Sequence, residues 1–345
     1  MKQILEQQPC QPPIASAPRE QTPWFYAFWK FSRPHTIIGT TLSVWGLYWI
    51  ALATSSLNFA SGQLSQLFGT WIACLCGNIY IVGLNQLEDI EIDQINKPHL
   101  PLAAGEFSRR QAQFMVGLTG IAALGIAGAL GPFLLAMVGI SLAIGTAYSL
   151  PPIRLKRFPL WAALCIFTVR GAVVNLGLFL HFNWVLEKKE VTGGTGSTSL
   201  EELADLIRHP LDWLSIPSEV WALTLFILVF TFAIAIFKDI PDIEGDARYQ
   251  ITTFSIRLGA PAVFNLARWV LTFCYGGMVL TGILWLSSIN SAFLGISHLT
   301  ALSFMWWCSQ KVDLQNRAAI AQFYQFIWKL FFLEYLIFPA ACLLG

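Results

Sequence analysis

The sequence predicts an all-α integral membrane protein in which nine transmembrane helices form a bundle around a central cavity. Of its 345 residues, 55% are hydrophobic and 12% charged, against ~25% charged in an average soluble domain. The mean hydropathy is +0.59. Apolar windows about 20 residues long, the length that crosses a bilayer as a helix, recur along the whole chain. They cover 36–54, 67–88, 111–130, 132–149, 159–181, 219–237, 263–286, 290–308 and 321–344.

Residues 1–30 carry Pro9, Pro12, Pro13, Pro18 and Pro23 and have neither an apolar signal core nor an Arg- and Ser-rich amphipathic pattern. They read as a disordered cytosolic tail, and residues 31–345 as a single transmembrane domain. Basic residues alternate between loops: Lys2, Arg19, Lys30 and Arg33 precede or open the first window, and Lys97, Arg109, Arg110, Arg154, Lys156, Arg157, Lys238, Arg248, Arg257, Arg268, Lys311 and Arg317 fall on the same side. By the positive-inside rule that side is cytosolic, N-terminus included. The longest connection, 182–218, lies on the opposite side, runs through Gly193-Gly-Thr-Gly-Ser-Thr-Ser199, and reads as a solvated insertion with no chemistry assigned.

A net charge of +1 and the absence of any Lys/Arg run interleaved with aromatics exclude a nucleic-acid partner. The seven cysteines sit mostly inside apolar windows, with Cys74 and Cys76 on opposite helix faces, and read as small core residues.

Charge is concentrated instead in two clusters, Asn85-Gln-Leu-Glu-Asp-Ile-Glu-Ile-Asp93 and Lys238-Asp-Ile-Pro-Asp-Ile-Glu-Gly-Asp246, which hold eight of the 20 acidic residues. Each sits at the cytosolic end of a window. If the helices continue through them, Asn85, Asp89 and Asp93 share one face, as do Asp239, Asp242 and Asp246. Asn78 extends the first stripe into the membrane and points to a polar cavity. Pro241 and Gly245 favour fraying of the second helix. Carboxylates without His or Cys partners select hard, oxygen-loving cations, Mg²⁺ before Zn²⁺ or copper. Two facing trios hold two or more such ions, and Mg²⁺ held by few carboxylates completes its shell with water and substrate phosphate, so the implied substrate is a diphosphate. Solvation of a membrane boundary explains one acidic cluster better than two same-side trios in helical register.

Tyr148, Arg154 and Lys156 fall in the next cytosolic loop, and Lys97, Lys238 and Arg248 flank the acids; these are the candidate diphosphate-binding groups. Arg109, Arg110 and Arg157 need no role beyond the positive-inside rule. Arg170 and Asn175 lie midway through the fifth window, where a guanidinium faces the bundle interior. With Arg33 and His35 at the mouth of the first window, they are the candidate contacts to an acceptor. Lys329 and Glu334 in the ninth window read as structural.

Together, Asn-x-x-x-Asp-x-x-x-Asp at 85–93, Asp-x-x-Asp-x-x-x-Asp at 239–246, the 148–156 segment and the nine windows resemble the UbiA-type intramembrane aromatic prenyltransferases, over roughly residues 24–344. Asn85-Gln-Leu-Glu-Asp89, Asn96-Lys-Pro-His-Leu-Pro-Leu-Ala-Ala-Gly105, Ser32-Arg-Pro-His-Thr36 and Phe326-Ile-Trp-Lys-Leu-Phe-Phe-Leu-Glu-Tyr335 resemble the homogentisate branch, and within it the phytyl-transferring cyanobacterial type. Many members have Asp where this chain has Gln86, which removes one metal ligand; the homogentisate branch commonly has Gln there.

The resemblance implies Mg²⁺-dependent transfer of a phytyl group from its diphosphate to homogentisate, with decarboxylation to 2-methyl-6-phytyl-benzoquinol in tocopherol synthesis. It also implies a groove for a C20 tail and residence in a cyanobacterial thylakoid or plasma membrane. Within the enzyme class, homogentisate geranylgeranyl- or solanesyltransferase and chlorophyll synthase are the competing activities. A cation transporter is the competing class, but transporters keep their acids near the midplane.

Overall fold

In a computed structural model the described residues are 22–55, 63–192, 215–237, 240 and 254–345. All regular structure among them is helical. Helix α1 (Trp24–Phe31) begins inside the segment expected to be a disordered tail. Its eight residues bury Ala27 and Phe31 and leave Trp24, Phe25, Tyr26 and Trp29 exposed. Such an aromatic face suits the membrane–water interface. Lys30, near its end, pairs with Glu106.

The bundle follows as α2 (Pro34–Thr54), α3 (Gln63–Glu88), the short α4 (Ile90–Asn96), α5 (Arg109–Leu130) and α6 (Pro132–Ser149). Next come a 3₁₀ turn (Leu155–Arg157) and α7 (Pro159–Phe167), which runs through a π-helical turn (Thr168–Val173) into α8 (Val174–Thr192). The remainder is α9 (Ser218–Phe237), α10 (Phe254–Leu258), α11 (Ala260–Leu284), α12 (Ser291–Ser309) and α13 (Arg317–Leu343). Helix therefore continues eleven residues into the connection expected from 182. Residues 193–214 of that insertion lie outside the described residues.

Eight described helical runs are long and apolar enough to span a bilayer, so the expected nine is not reached among the described residues. The difference lies at α12. It occupies the 290–308 window as a 19-residue helix, but Ser297, His298, Thr300 and Ser303 dilute its apolar run.

Chain ends are placed by local chemistry. Ser108 and Gln111 form a reciprocal capping box at α5, Ser108 Oγ accepting from the Gln111 amide and Gln111 Oε1 from the Ser108 amide. Gly131, at φ 150°, turns α5 into α6, with Pro132 at the first helical position. Asn316 caps α13 by accepting from the amides of Ala318 and Ala319.

Packing closes a ring. Helix α2 contacts α3, α8 and α13; α6 contacts α3, α8 and the π-turn; α9 contacts the π-turn and α13. Helices α5, α11 and α12 buttress this ring from outside, α5 against α3 and α6, and α11 against α9. The α3–α5 contact depends on Gly83, where a Cβ would lie 2.7 Å from both Phe31 Cζ and Val116 Cγ2. Gly83→Ala is expected to destabilise the fold by roughly 1–3 kcal/mol through overpacking, read as a lowered Tm in detergent. An unchanged Tm would show that α1 and α5 yield freely.

Of the two ninth-window residues read as structural, Lys329 is exposed on α13 and Glu334 is buried. Glu334 pairs with His298 of α12, Nε2 to Oε2 3.1 Å, at 0% and 1% side-chain exposure.

Candidate active site

The inner wall of the ring encloses a cavity of about 430 Å³, within the range of small-molecule sites. α2, α3, α6, the α7–π-turn–α8 run, α9 and α13 all line it; α5, α11 and α12 do not. Polar residues follow helical spacing along two walls. Thr36, Thr40 and Ser43 descend α2, while Asn78 and Asn85 descend α3. Asn78 Nδ2 donates to Thr36 Oγ1 at 3.0 Å, tying the stripes together. The polar penetration expected from Asn78 is present, and the α2 stripe was visible as Thr and Ser at i, i+4 and i+7.

At the mouth the first acidic motif departs from its expected geometry. α3 stops at Glu88 and α4 starts at Ile90, with Asp89 between them at φ −115°, ψ 16°. Asn85, Asp89 and Asp93 are therefore not carried on one continuous helix. The break turns Asp89 towards the 148–157 segment. Arg154 Nη2 donates to Asp89 Oδ1 at 2.9 Å and Lys156 Nζ to Asp89 Oδ2 at 2.6 Å and Asn85 Oδ1 at 3.1 Å. These partners are 65 to 71 residues apart in the chain, and sequence alone named them without joining them.

The two non-glycine residues with positive φ among the described residues, Arg33 (54°) and Arg154 (38°), both stand at this mouth. Side chains rarely take that conformation, and it tends to occur where a site requires it. Arg33 caps α2 from the left-handed region, lines the cavity, and lies within electrostatic reach of Asp93, Asp89 and Tyr148. Its Nε is buried without a hydrogen-bond partner among the described residues.

Asp93 is 6% exposed, and its Oδ2 likewise lacks a partner. Burial pushes its carboxyl above the usual range, against the pull of Lys97 and Arg33. Burial lowers the Lys156 ammonium, and the hydrogen bond and charge of Asp89 raise it. An unsatisfied buried carboxylate oxygen within electrostatic reach of the Asp89 carboxylate, which shares Lys156 with the Asn85 amide oxygen, offers oxygen donors of the kind that fit Mg²⁺. Among the described residues no three His, Cys, Asp or Glu side chains come together as a metal-binding group. The second half of the expected set, Asp239, Asp242 and Asp246 with Lys238 and Arg248, lies outside the described residues.

The remaining expectations divide. Tyr148, His35 and Arg170 line the cavity. Lys97 is exposed beside Asp93, its amide closing α4 on the Asp93 carbonyl at 2.8 Å. Asn175 is 0% exposed and is not among the cavity-lining residues. It accepts from the Tyr335 hydroxyl at 2.9 Å and donates to the Gly171 carbonyl at 2.8 Å, so it braces the bundle behind the cavity wall. Gln86 also turns away, donating to the Phe31 carbonyl at 2.8 Å, which ties α3 to α1.

Trp328 escaped the sequence reading among so many aromatics. It lines the cavity, with His35 edge-on at 5.5 Å and the Arg170 guanidinium over its ring at 4.8 Å.

Residues 40–330 match the UbiA prenyltransferase family. The chain belongs to that family. It is 53% identical to homogentisate phytyltransferase of Synechocystis over 91% of this chain and 95% of that one. To homogentisate phytyltransferase 1 of Arabidopsis thaliana it is 36% identical, over 91% and 74% of the two chains. A solved UbiA homolog from Archaeoglobus fulgidus, bound to GPP and Mg²⁺, shares the fold with TM-score 0.55 at 14% identity, covering 92% and 99% of the respective chains. As a UbiA-family protein the chain is a multi-pass integral membrane prenyltransferase, and the cation-transporter alternative falls away.

Proposed function

We propose that the protein transfers the phytyl group of phytyl diphosphate to homogentisate with loss of CO₂, giving 2-methyl-6-phytyl-benzoquinol for tocopherol synthesis. The near full-length likeness to the Synechocystis enzyme carries this reading. Residues 31–345 act as one UbiA-like domain with the site on the cytosolic face, in keeping with the distribution of basic residues. Asn85, Asp89 and Asp93, with Asp239, Asp242 and Asp246, hold two or more Mg²⁺ ions, whose charge when bound offsets that of the diphosphate.

Arg154, Lys156 and Tyr148, with Lys97, Lys238 and Arg248, receive the diphosphate and stabilise it as it departs with the C–O bonding pair. A ring carbon of homogentisate attacks the allylic carbon and loses its proton. CO₂ leaves the carboxymethyl group, and a proton takes its place. The apolar wall made by Val44, Val138, Leu142 and Leu178 excludes water while the allylic carbon is electron-poor.

The test incubates membranes carrying the protein with homogentisate, Mg²⁺ and either phytyl or geranylgeranyl diphosphate. A prenylated, decarboxylated quinol is expected with phytyl diphosphate as the better donor, and no product with either donor overturns the proposal. EDTA is expected to remove activity and excess Mg²⁺ to restore it; activity surviving chelation sinks the metal role.

A further inference from the structure

Arg170 occupies a place that the diphosphate chemistry does not use. It sits in the π-turn Thr168–Val173, which interrupts an otherwise continuous helical run. A π-turn holds one residue more than an α-turn and so re-aims the side chains within it, and such turns concentrate at functional sites. Gly171 makes this turn possible at the α9 contact, since a Cβ there would lie 2.3 Å from Leu228 Cδ2. The result points Arg170 into the cavity.

The guanidinium is enclosed by protein, and the surface it retains belongs to the cavity wall. It lies on Trp328 at 4.8 Å and near Phe331 at 5.7 Å. Among the described residues no carboxylate pairs with it. A face-on cation–π contact leaves the guanidinium edge, with its fork of N–H donors, free for a planar anion. Aromatic stacking alone does not replace the hydration lost on burying this charge at mid-membrane depth.

Arg33 and Arg170 also differ in their surroundings. Arg33 feels Asp89 and Asp93 at the mouth, whereas the groups felt by Arg170 are the phenols of Tyr335 and Tyr324. His35 lies within electrostatic reach of both arginines and touches the same Trp328. The cationic wall thus has two ends, one within electrostatic reach of the acidic motif and one with no carboxylate partner among the described residues.

We propose that Arg170, shelved on Trp328, is the receptor for the carboxylate of the aromatic acceptor, and that this contact selects an aromatic acid over a neutral hydroquinone. The inference rests on the prenyl-transfer reading above and assigns the acceptor's orientation within it. The acid group lies at the Trp328 wall and the ring towards the mouth, where the diphosphate departs.

The experiment uses the full chain purified in detergent and compares homogentisate with its methyl ester. Arg170→Gln is expected to raise KM for homogentisate ~30-fold, as loss of a charge-assisted bidentate contact does. The ester should change less than about twofold, and KM for the prenyl diphosphate should hold; Arg170→Lys should recover part of the preference for the acid. Equal losses for acid and ester, or a larger change in diphosphate KM, overturn the assignment. If Arg170→Gln does not fold, as judged by its melting curve, Arg170→Lys carries the same comparison.

Equilibrium dialysis of phenylacetate-class acids against their esters separates this inference from the reaction itself. If the wild type transfers no prenyl group to homogentisate, the functional reading fails. Arg170-dependent binding of the acids still sustains the receptor, and equal binding to wild type and variant removes it.

Discussion

Asp89→Ala is expected to lower kcat/KM for prenyl transfer by about 10³-fold or more, as removal of a principal electrostatic group does. Asp89 is where three requirements meet. Its oxygens receive Arg154 at 2.9 Å and Lys156 at 2.6 Å, and it belongs to the donor set proposed for Mg²⁺. Without it, two cations lose the anion that orients them, and the metal loses a ligand.

The loss should be catalytic and not a failure to fold. Asp89 stands at the N-cap of α4 but makes no side-chain capping bond, so alanine there removes no cap. The melting temperature should therefore stay within a few degrees of the wild type while turnover disappears. Asp242→Ala is expected to behave alike if the second trio completes the metal site. A folded Asp89→Ala protein with activity within tenfold of the wild type would falsify the role assigned to this carboxylate.

His298→Ala is expected to be the most destabilising single change outside the site, at roughly 3–5 kcal/mol, because it strands the Glu334 carboxylate in the bundle interior. A lost interhelical hydrogen bond by itself is worth only about 1 kcal/mol in a membrane bundle, so the stranded charge dominates. The imidazole is held in place by its neighbours: Phe226 and Tyr275 pack against it at 5.8 and 5.6 Å, and its Nδ1 is spent on the Leu294 carbonyl at 2.9 Å. Replacing both members with leucine should recover most of the loss, since no buried charge then remains. Thermal melts in detergent read both effects. Because neither His298 nor Glu334 is among the cavity-lining residues, the double variant should keep its KM values. Equal destabilisation by the single and double variants would show that shape, not charge, is what the pair supplies.

Much of this protein was legible in one dimension because membrane insertion imposes local rules. A spanning helix must be apolar for about 20 residues, so seven windows coincided with spanning helices and an eighth, 159–181, with the α7–π-turn–α8 run. A charge at such a boundary stands out, so Asn85, Asp89, Asp93, Arg154 and Lys156 could be named from composition and spacing. The ninth window is helical but falls short of a spanning run among the described residues, because α12 carries polar side chains, of which Ser291 and His298 serve contacts with neighbouring helices.

What the sequence by itself determined is therefore the membrane class and, through the family resemblance that its motifs carry, the prenyltransferase chemistry; it also named the residues proposed to meet the diphosphate. Helical periodicity and hydropathy are properties of neighbours in the chain. Only the tertiary structure decided which of those residues touch. The break at Asp89 turns it onto Arg154 and Lys156, and Asn175 turns to Tyr335 and away from the cavity. Glu334 finds His298 across the bundle, while the π-turn aims Arg170 over Trp328. Each of these is settled by packing between helices distant in sequence, where the cost of burying a polar group unpartnered selects one arrangement. No spacing along a single helix contains that information.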